Sequence, residues 1–223
     1  MNRTLRAAGF LAMTFAFAFG APASAETWVE GTHYQKLDTP VQTDSDGKIE
    51  VAEVFWYGCP HCYHFKPYVE AWEKTLPEDV KFVMLPAALG RSWEPHARAF
   101  YALEAMGDLN KVHDALFDAL AGEHRSLETP EALAKFVAGY GVDAGKFIKN
   151  YNSFGVNARM QQAQSKIRGA RITGVPAMLV NGKYKVSASM AGSHEAVLKV
   201  VDYLVDKERG MEQSAETSDK EAK

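Results

Sequence analysis

The chain has 223 residues, 47% hydrophobic and 24% charged, a composition ordinary for a soluble globular protein. Lys and Arg total 25 against 28 Asp and Glu, a formal charge of -3, so charge gives no general affinity for nucleic acid. With only two cysteines, a disulfide scaffold and a four-cysteine zinc site are both excluded.

The N-terminus reads as a targeting segment. Arg3 and Arg6 precede an apolar, uncharged run from Ala7 to Gly20, and Ala23 and Ala25 then supply an A-x-A cleavage pattern. The apolar run is shorter than the roughly 20 residues that span a bilayer, so residues 1–25 are expected to be a secretory signal peptide and not an anchor. Its removal takes away two bases and no acid, and it delivers the protein to a compartment where disulfides persist.

Along the mature chain, Tyr34–Leu37 is a possible edge strand and Asp46-Gly47 a turn. The β-branched and aromatic run Ile49–Tyr57 predicts a strand, broken by Gly58. Cys59-Pro60-His61-Cys62 opens a helix toward Thr75, with Pro60 suited to its first turn and Pro67 expected to kink it. Val80–Leu85 predicts a second strand.

The following block reads as helical: 94–106, 108–121, a helix capped by Thr129 with Pro130 behind it, a short one capped by Asp143, and a polar one from Phe154 to about Ile172. Strand character returns at Pro176–Val180 and Tyr184–Val186, with Asn181-Gly182 as the hairpin signal. An amphipathic helix over Ser193–Lys207 closes the fold. The expected division is 26–87 and 171–207 as two parts of one α/β domain with a central mixed sheet, 88–170 as an inserted helical domain, and 208–223 as a polar, disordered tail.

The cysteine pair carries the chemistry. Two residues apart at a strand-to-helix junction, Cys59 and Cys62 lie where free backbone N–H groups and the helix dipole favour a thiolate. A stabilised thiolate makes the dithiol favourable and the disulfide oxidising. Haem attachment fails because Tyr63, not histidine, follows Cys62. Zinc needs a fourth ligand beyond Cys59, Cys62 and His61 or His64, and a purely structural disulfide closes too small a loop to stabilise much. The strand before, the helix after and the secreted context favour redox chemistry.

Phe55-Trp56-Tyr57-Gly58-Cys59-Pro60-His61-Cys62-Tyr63 resembles the active site of the DsbA family, thioredoxin-fold disulfide oxidases of the Gram-negative periplasm. Gly174-Val175-Pro176-Ala177-Met178-Leu179-Val180-Asn181-Gly182-Lys183-Tyr184 is similar to that family's cis-proline loop and hairpin, and the helical insertion between the two motifs matches as well. The resemblance implies an α/β thioredoxin-like fold and a periplasmic oxidase whose only redox group is the Cys59–Cys62 disulfide, with no separate cofactor and no metal. It implies that Cys59 is the exposed nucleophile, Cys62 its buried partner and His61 the tuning residue. Val175 and Pro176 become the loop that pairs with an extended substrate.

Glu53, mid-strand and six residues before Cys59, matches the family's buried acid and is expected to face inward and relay a proton for Cys62, in contrast to an outward Glu50. The lysine that some members carry on the next strand is replaced by Met84, with Lys81 nearby, which puts a charge partner for Glu53 in doubt. The implied partners are newly secreted, unfolded cysteine-containing proteins and a quinone-linked membrane oxidase resembling DsbB. Too few residues precede the first core strand for the dimerisation domain of the periplasmic isomerases, which points to a monomer. The rival readings are an isomerase or reductase of the same fold, and a non-redox zinc-binding or chaperone module. His33, His64, His96, His113, His124 and His194 show no metal spacing and read as surface or cap residues. Trp56, Tyr57 and Met178 could form an apolar surface around Cys59 or belong to the core.

Overall fold

Strand β2 (Ile49–Phe55) is buried along its whole length, because it lies inside a sheet covered on both faces. In the computed structural model, which describes residues 27–221, it pairs in parallel with β3 (Val80–Pro86) and antiparallel with β4 (Ala177–Val180). Strand β5 (Tyr184–Val186) continues the sheet antiparallel to β4, and the short β1 (Gln35–Lys36) closes that edge. The result is a mixed five-stranded sheet in the order β1-β5-β4-β2-β3, the expected strand–helix–strand unit joined to a later hairpin. The signal-peptide reading, on residues 1–25, lies outside the described residues.

The alternation of β2 assigns its side chains to two cores. Ile49 and Val51 pack with Phe65, Val69 and Trp72 of α1 (Pro60–Glu73) and with Val197, Val200, Val201 and Leu204 of α8 (His194–Glu221). Ala52 and Val54 face the helical block, which consists of α2 (Glu94–Met106), α3 (Leu109–Phe117) with a π-helical turn over Asp118–Gly122, α4 (Pro130–Ala138), α5 (Ala144–Tyr151) and α6 (Phe154–Gly169). The capping chemistry read in the sequence is present: the Ala132 N–H donates to Thr129 Oγ1 at 3.2 Å and the Lys146 N–H to Asp143 Oδ1 at 2.8 Å. Helix α1 continues through Pro67 as a single element. Between β4 and β5, Asn181 and Gly182 both take positive φ, and a Cβ at Gly182 would lie 2.1 Å from the Val41 carbonyl oxygen, so only glycine fits there.

Three expectations about boundaries and faces change. Helix α6 stops at Gly169, short of Ile172, in a Schellman turn: Arg171 is left-handed (φ 50), its N–H donates to Arg168 O, and the Ile172 N–H donates to Ile167 O. The closing helix does not end at Lys207 before a disordered tail but runs to Glu221. Glu208 explains the first part of that extension. It is fully buried, and its Oε2 accepts from Asn181 Nδ2 at 2.6 Å and from the Lys183 ammonium, tying α8 to the hairpin turn. Residues 209–221 contain no proline, and Glu212, Gln213, Ala215, Glu216, Lys220 and Glu221 among them are good helix formers.

Glu50 does not point to solvent either. It is 1% exposed, because α6 covers that face of the sheet, and its carboxylate is paired with the Lys166 ammonium and accepts the Asp44 N–H at 3.0 Å. Removing one member of such a pair leaves a buried charge, so Lys166→Met is expected to lower the unfolding free energy by about 3 kcal/mol. Denaturant unfolding measures this directly, and an unchanged midpoint would show that the pair contributes nothing.

Candidate active site

The chain leaves β2 through Trp56-Tyr57-Gly58 and enters α1 with Cys59 as the N-cap, in extended backbone geometry and followed by Pro60 at the first helical position. The cap that Ser or Asp usually supplies is here a sulfur: the Cys62 N–H donates to Cys59 Sγ at 3.3 Å. Both cysteines are free thiols in the structure. A side-chain hydrogen bond from Cys62 is the largest influence on Cys59, and it lowers the Cys59 pKa to about 6. Burial opposes that shift, while the N–H groups of Cys62 and His61 and the His61 imidazole reinforce it. Cys62 is pushed far up, first by burial, then by its hydrogen bond to Cys59 and the Cys59 charge. The pair therefore holds one proton at neutral pH, on Cys62, and one negative charge, on Cys59.

Accessibility follows the same asymmetry with one correction. Cys62 is completely buried, but Cys59, expected to be exposed, retains only 7% exposure. Its sulfur lies under the loop before β4, 3.6 Å from the Val175 carbonyl oxygen. The Val175–Pro176 peptide is cis. Thr173 and Gly174 are exposed and Val175 and Pro176 half-buried, so an incoming chain reaches Cys59 alongside this loop. His61 is exposed beside it.

Glu53 is 7% exposed and lies on the α1 face of β2. Its register neighbours are Met84 on β3 and Met178 on β4, so neither adjacent strand brings it a cation. Lys81 pairs in register with Glu50, and its Nζ reaches the Asp44 carbonyl. Burial, followed by Glu73 and Glu70 of α1, raises the Glu53 pKa to about 8, while Lys66 works in the opposite direction. Lys66 itself is held by Glu70 at 2.6 Å and Asp114 at 2.9 Å. Glu53 is thus protonated at neutral pH; only once it ionises at higher pH does its charge add to the forces that hold the Cys62 pKa up.

Two histidines belong to the support behind this loop and not to the surface. His96 is buried, and since the Leu127 carbonyl can only accept, Nε2 carries the proton and Nδ1 accepts from Trp56 Nε1–H at 3.0 Å. Trp56 also stacks on Trp93 with ring centroids 4.3 Å apart. His113 Nδ1 bonds the Tyr57 hydroxyl at 2.8 Å, and burial pushes its pKa down to about 4. Tyr57 and Met178 are core residues and leave only Trp56 half-accessible. Helical spacing held the signal: His96 shares a stripe with Ala99, Phe100 and Leu103, and His113 lies one turn from Leu109 and Phe117. Among the described residues, no group of three His, Cys, Asp or Glu could hold a metal ion.

Comparison with known proteins agrees with this geometry. The family model described as a DSBA-like thioredoxin domain matches residues 78–198. The chain is 47% identical over 207 residues to the thiol:disulfide interchange protein DsbA of Pseudomonas aeruginosa, covering 93% of this chain and 97% of that protein. It is 45% identical over 210 residues to the protein of the same name from Azotobacter vinelandii, covering 93% and 98%. Among solved structures, Pseudomonas aeruginosa DsbA superposes with a TM-score of 0.80, covering 83% of this chain and 97% of that one. The oxidoreductase DsbA of Xylella fastidiosa, at 36% identity, superposes with a TM-score of 0.76 over 82% and 98%.

Proposed function

The chain belongs to the DsbA family of thiol:disulfide interchange proteins, a family of thiol:disulfide oxidoreductases, and from that premise we propose how its residues divide the work. The oxidised protein carries a Cys59–Cys62 disulfide. A substrate thiolate attacks Cys59 Sγ, the Cys59–Cys62 bond breaks, and Cys62 leaves as a thiolate that takes a proton from Glu53. A second substrate thiolate then attacks the substrate sulfur of the mixed disulfide and expels Cys59. Two electrons pass from the substrate thiols to the protein, which ends as the dithiol. The observation that carries this reading is the capped Cys59 sulfur with its pKa near 6: it leaves readily, and its stability draws the reaction toward oxidised substrate.

In the same reading, Val175 and Pro176 seat the extended substrate, Pro60 starts the helix in the geometry that caps the sulfur, and His61 adds a further stabilising charge. The substrates are newly exported unfolded proteins in the periplasm, and a quinone-linked membrane oxidase resupplies the disulfide. No cofactor beyond the cysteine pair takes part. The test is thiol consumption when the oxidised protein meets a reduced, unfolded polypeptide. One substrate disulfide per protein, with multiple turnovers once an oxidant is supplied, is expected. Reshuffling of existing disulfides without net oxidation would overturn the assignment as an oxidase.

Glu53 has its own signature. As the acid for departing Cys62, it loses effectiveness when pH rises through about 8 and it deprotonates. After correction for substrate ionisation, the rate of mixed-disulfide formation should fall across that range, and Glu53→Gln should abolish the inflection. An inflection that persists in the variant would remove Glu53 from the proton path.

A further inference from the structure

A groove beside Cys59 runs between the Arg171–Ala177 loop, β5 and α7 (Ala188–Ala191). Val175, Pro176 and Met190 give it an apolar floor, while its charged and titratable lining consists of Arg171, Lys185, His61 and His194, with no acid among its walls. This one-sided lining belongs to a chain whose overall charge is negative.

The two fixed cations are placed by backbone geometry. Arg171 is the left-handed residue of the Schellman turn that ends α6, which turns the chain toward the Val175–Pro176 loop. Lys185, on β5, donates to the Arg171 backbone carbonyl at 3.0 Å, so its ammonium is held against the turn that carries Arg171. The nearest acids lie outside the walls. Asp38 meets Arg171 at 3.0 Å, but both side chains are more than 70% exposed, a pair that water and salt screen heavily. Glu195 sits beside His194 and is engaged by Ser193 and Tyr68.

We propose that Arg171 and Lys185 make this groove selective for polypeptides with carboxylate side chains close to the reacting cysteine. This rests on the reading of Val175 and Pro176 as the substrate seat. A substrate sulfur bonded to Cys59 has to lay its neighbouring residues along that loop, within the field of the two cations. Complementary charge raises the rate of productive encounter, and repulsion discriminates against basic flanks. The charge selection acts on which cysteine is engaged, before any bond changes, and leaves the exchange chemistry as described above.

The experiment measures the second-order rate at which the oxidised protein is reduced by single-cysteine peptides whose flanking residues are Asp, Asn or Lys. Dividing each rate by that peptide's rate with a neutral dipyridyl disulfide removes the influence of flanking charge on the cysteine's own ionisation. The Asp peptide should exceed the Lys peptide by about tenfold at low salt. That ratio should collapse toward one at 1 M salt, where the screening length is about 3 Å, and in the Arg171→Gln/Lys185→Gln variant. A ratio near one in the unaltered protein, or a ratio that survives in the double variant, overturns the proposal. The underlying reading is tested separately with Pro176→Ala and the Asn peptide. If this change slows the peptide no more than it slows a small dithiol, the loop is not the substrate seat, whatever the charge ratio shows.

Discussion

Cys62→Ala should turn the protein from a catalyst into a trap. With Cys62 gone, no internal disulfide can form and net oxidation of substrate thiols should be lost entirely. Cys59 keeps its position at the start of α1, its backbone hydrogen bond from residue 62 and 7% exposure, so it still attacks substrate disulfides. The resulting mixed disulfides have no internal thiol to resolve them and should accumulate as covalent adducts on non-reducing gels. Cys59→Ser should lose oxidation equally and form no adducts, because the remaining Cys62 is fully buried with its pKa pushed far up. Adducts with Cys59→Ser instead of Cys62→Ala would reverse the assignment of nucleophile and partner.

The second large effect is on stability, and it differs between the two redox forms. Cys59 has a depressed pKa in the folded dithiol, from 9.0 to about 6. The resulting stabilisation is complete above the unfolded value and is lost as pH falls through the folded one. The disulfide form has no such thiol to titrate. Between pH 6 and 9 the reduced protein should therefore gain about 3 kcal/mol relative to the oxidised protein. Above pH 9 the gain should reverse and decline with rising pH: the Cys59 contribution is complete there, and Cys62 has a raised pKa, so the unfolded chain ionises it and the fold does not. Denaturant midpoints of the two forms across this range measure the difference. A constant difference would mean that the fold does not stabilise the Cys59 thiolate.

How much of this could be read from sequence depended on whether a residue's role was set locally. Cys59, Pro60 and Cys62 announce a helix start by spacing alone, and Thr129, Asp143 and Asn181-Gly182 mark their caps and turn in the same way. The inward orientation of Glu53 follows from the otherwise apolar run Val51 to Tyr57. Glu50, on the same strand, looked like a solvent residue because its burial depends on α6, more than a hundred positions later, which supplies Lys166. Glu208 was likewise indistinguishable from the polar tail around it, since its partners Asn181 and Lys183 come from the hairpin. His96 and His113 are neutral struts behind the active-site loop because Trp56 and Tyr57 reach them across the sheet–helix boundary. Cys59 is less accessible than its role suggested because the Val175 loop, 116 positions away, folds over it.

The central claim is that the helix start and Cys62 hold Cys59 as a thiolate and make the Cys59–Cys62 disulfide a strong oxidant. Ultraviolet thiolate absorbance of the reduced protein, followed against pH with the disulfide form as reference, tests this most directly. A single thiolate titrating with a midpoint near 6, together with a glutathione redox equilibrium well above the thioredoxin potential of about -270 mV, is the expected result. A midpoint near 9, or a potential close to that of thioredoxin, would contradict it.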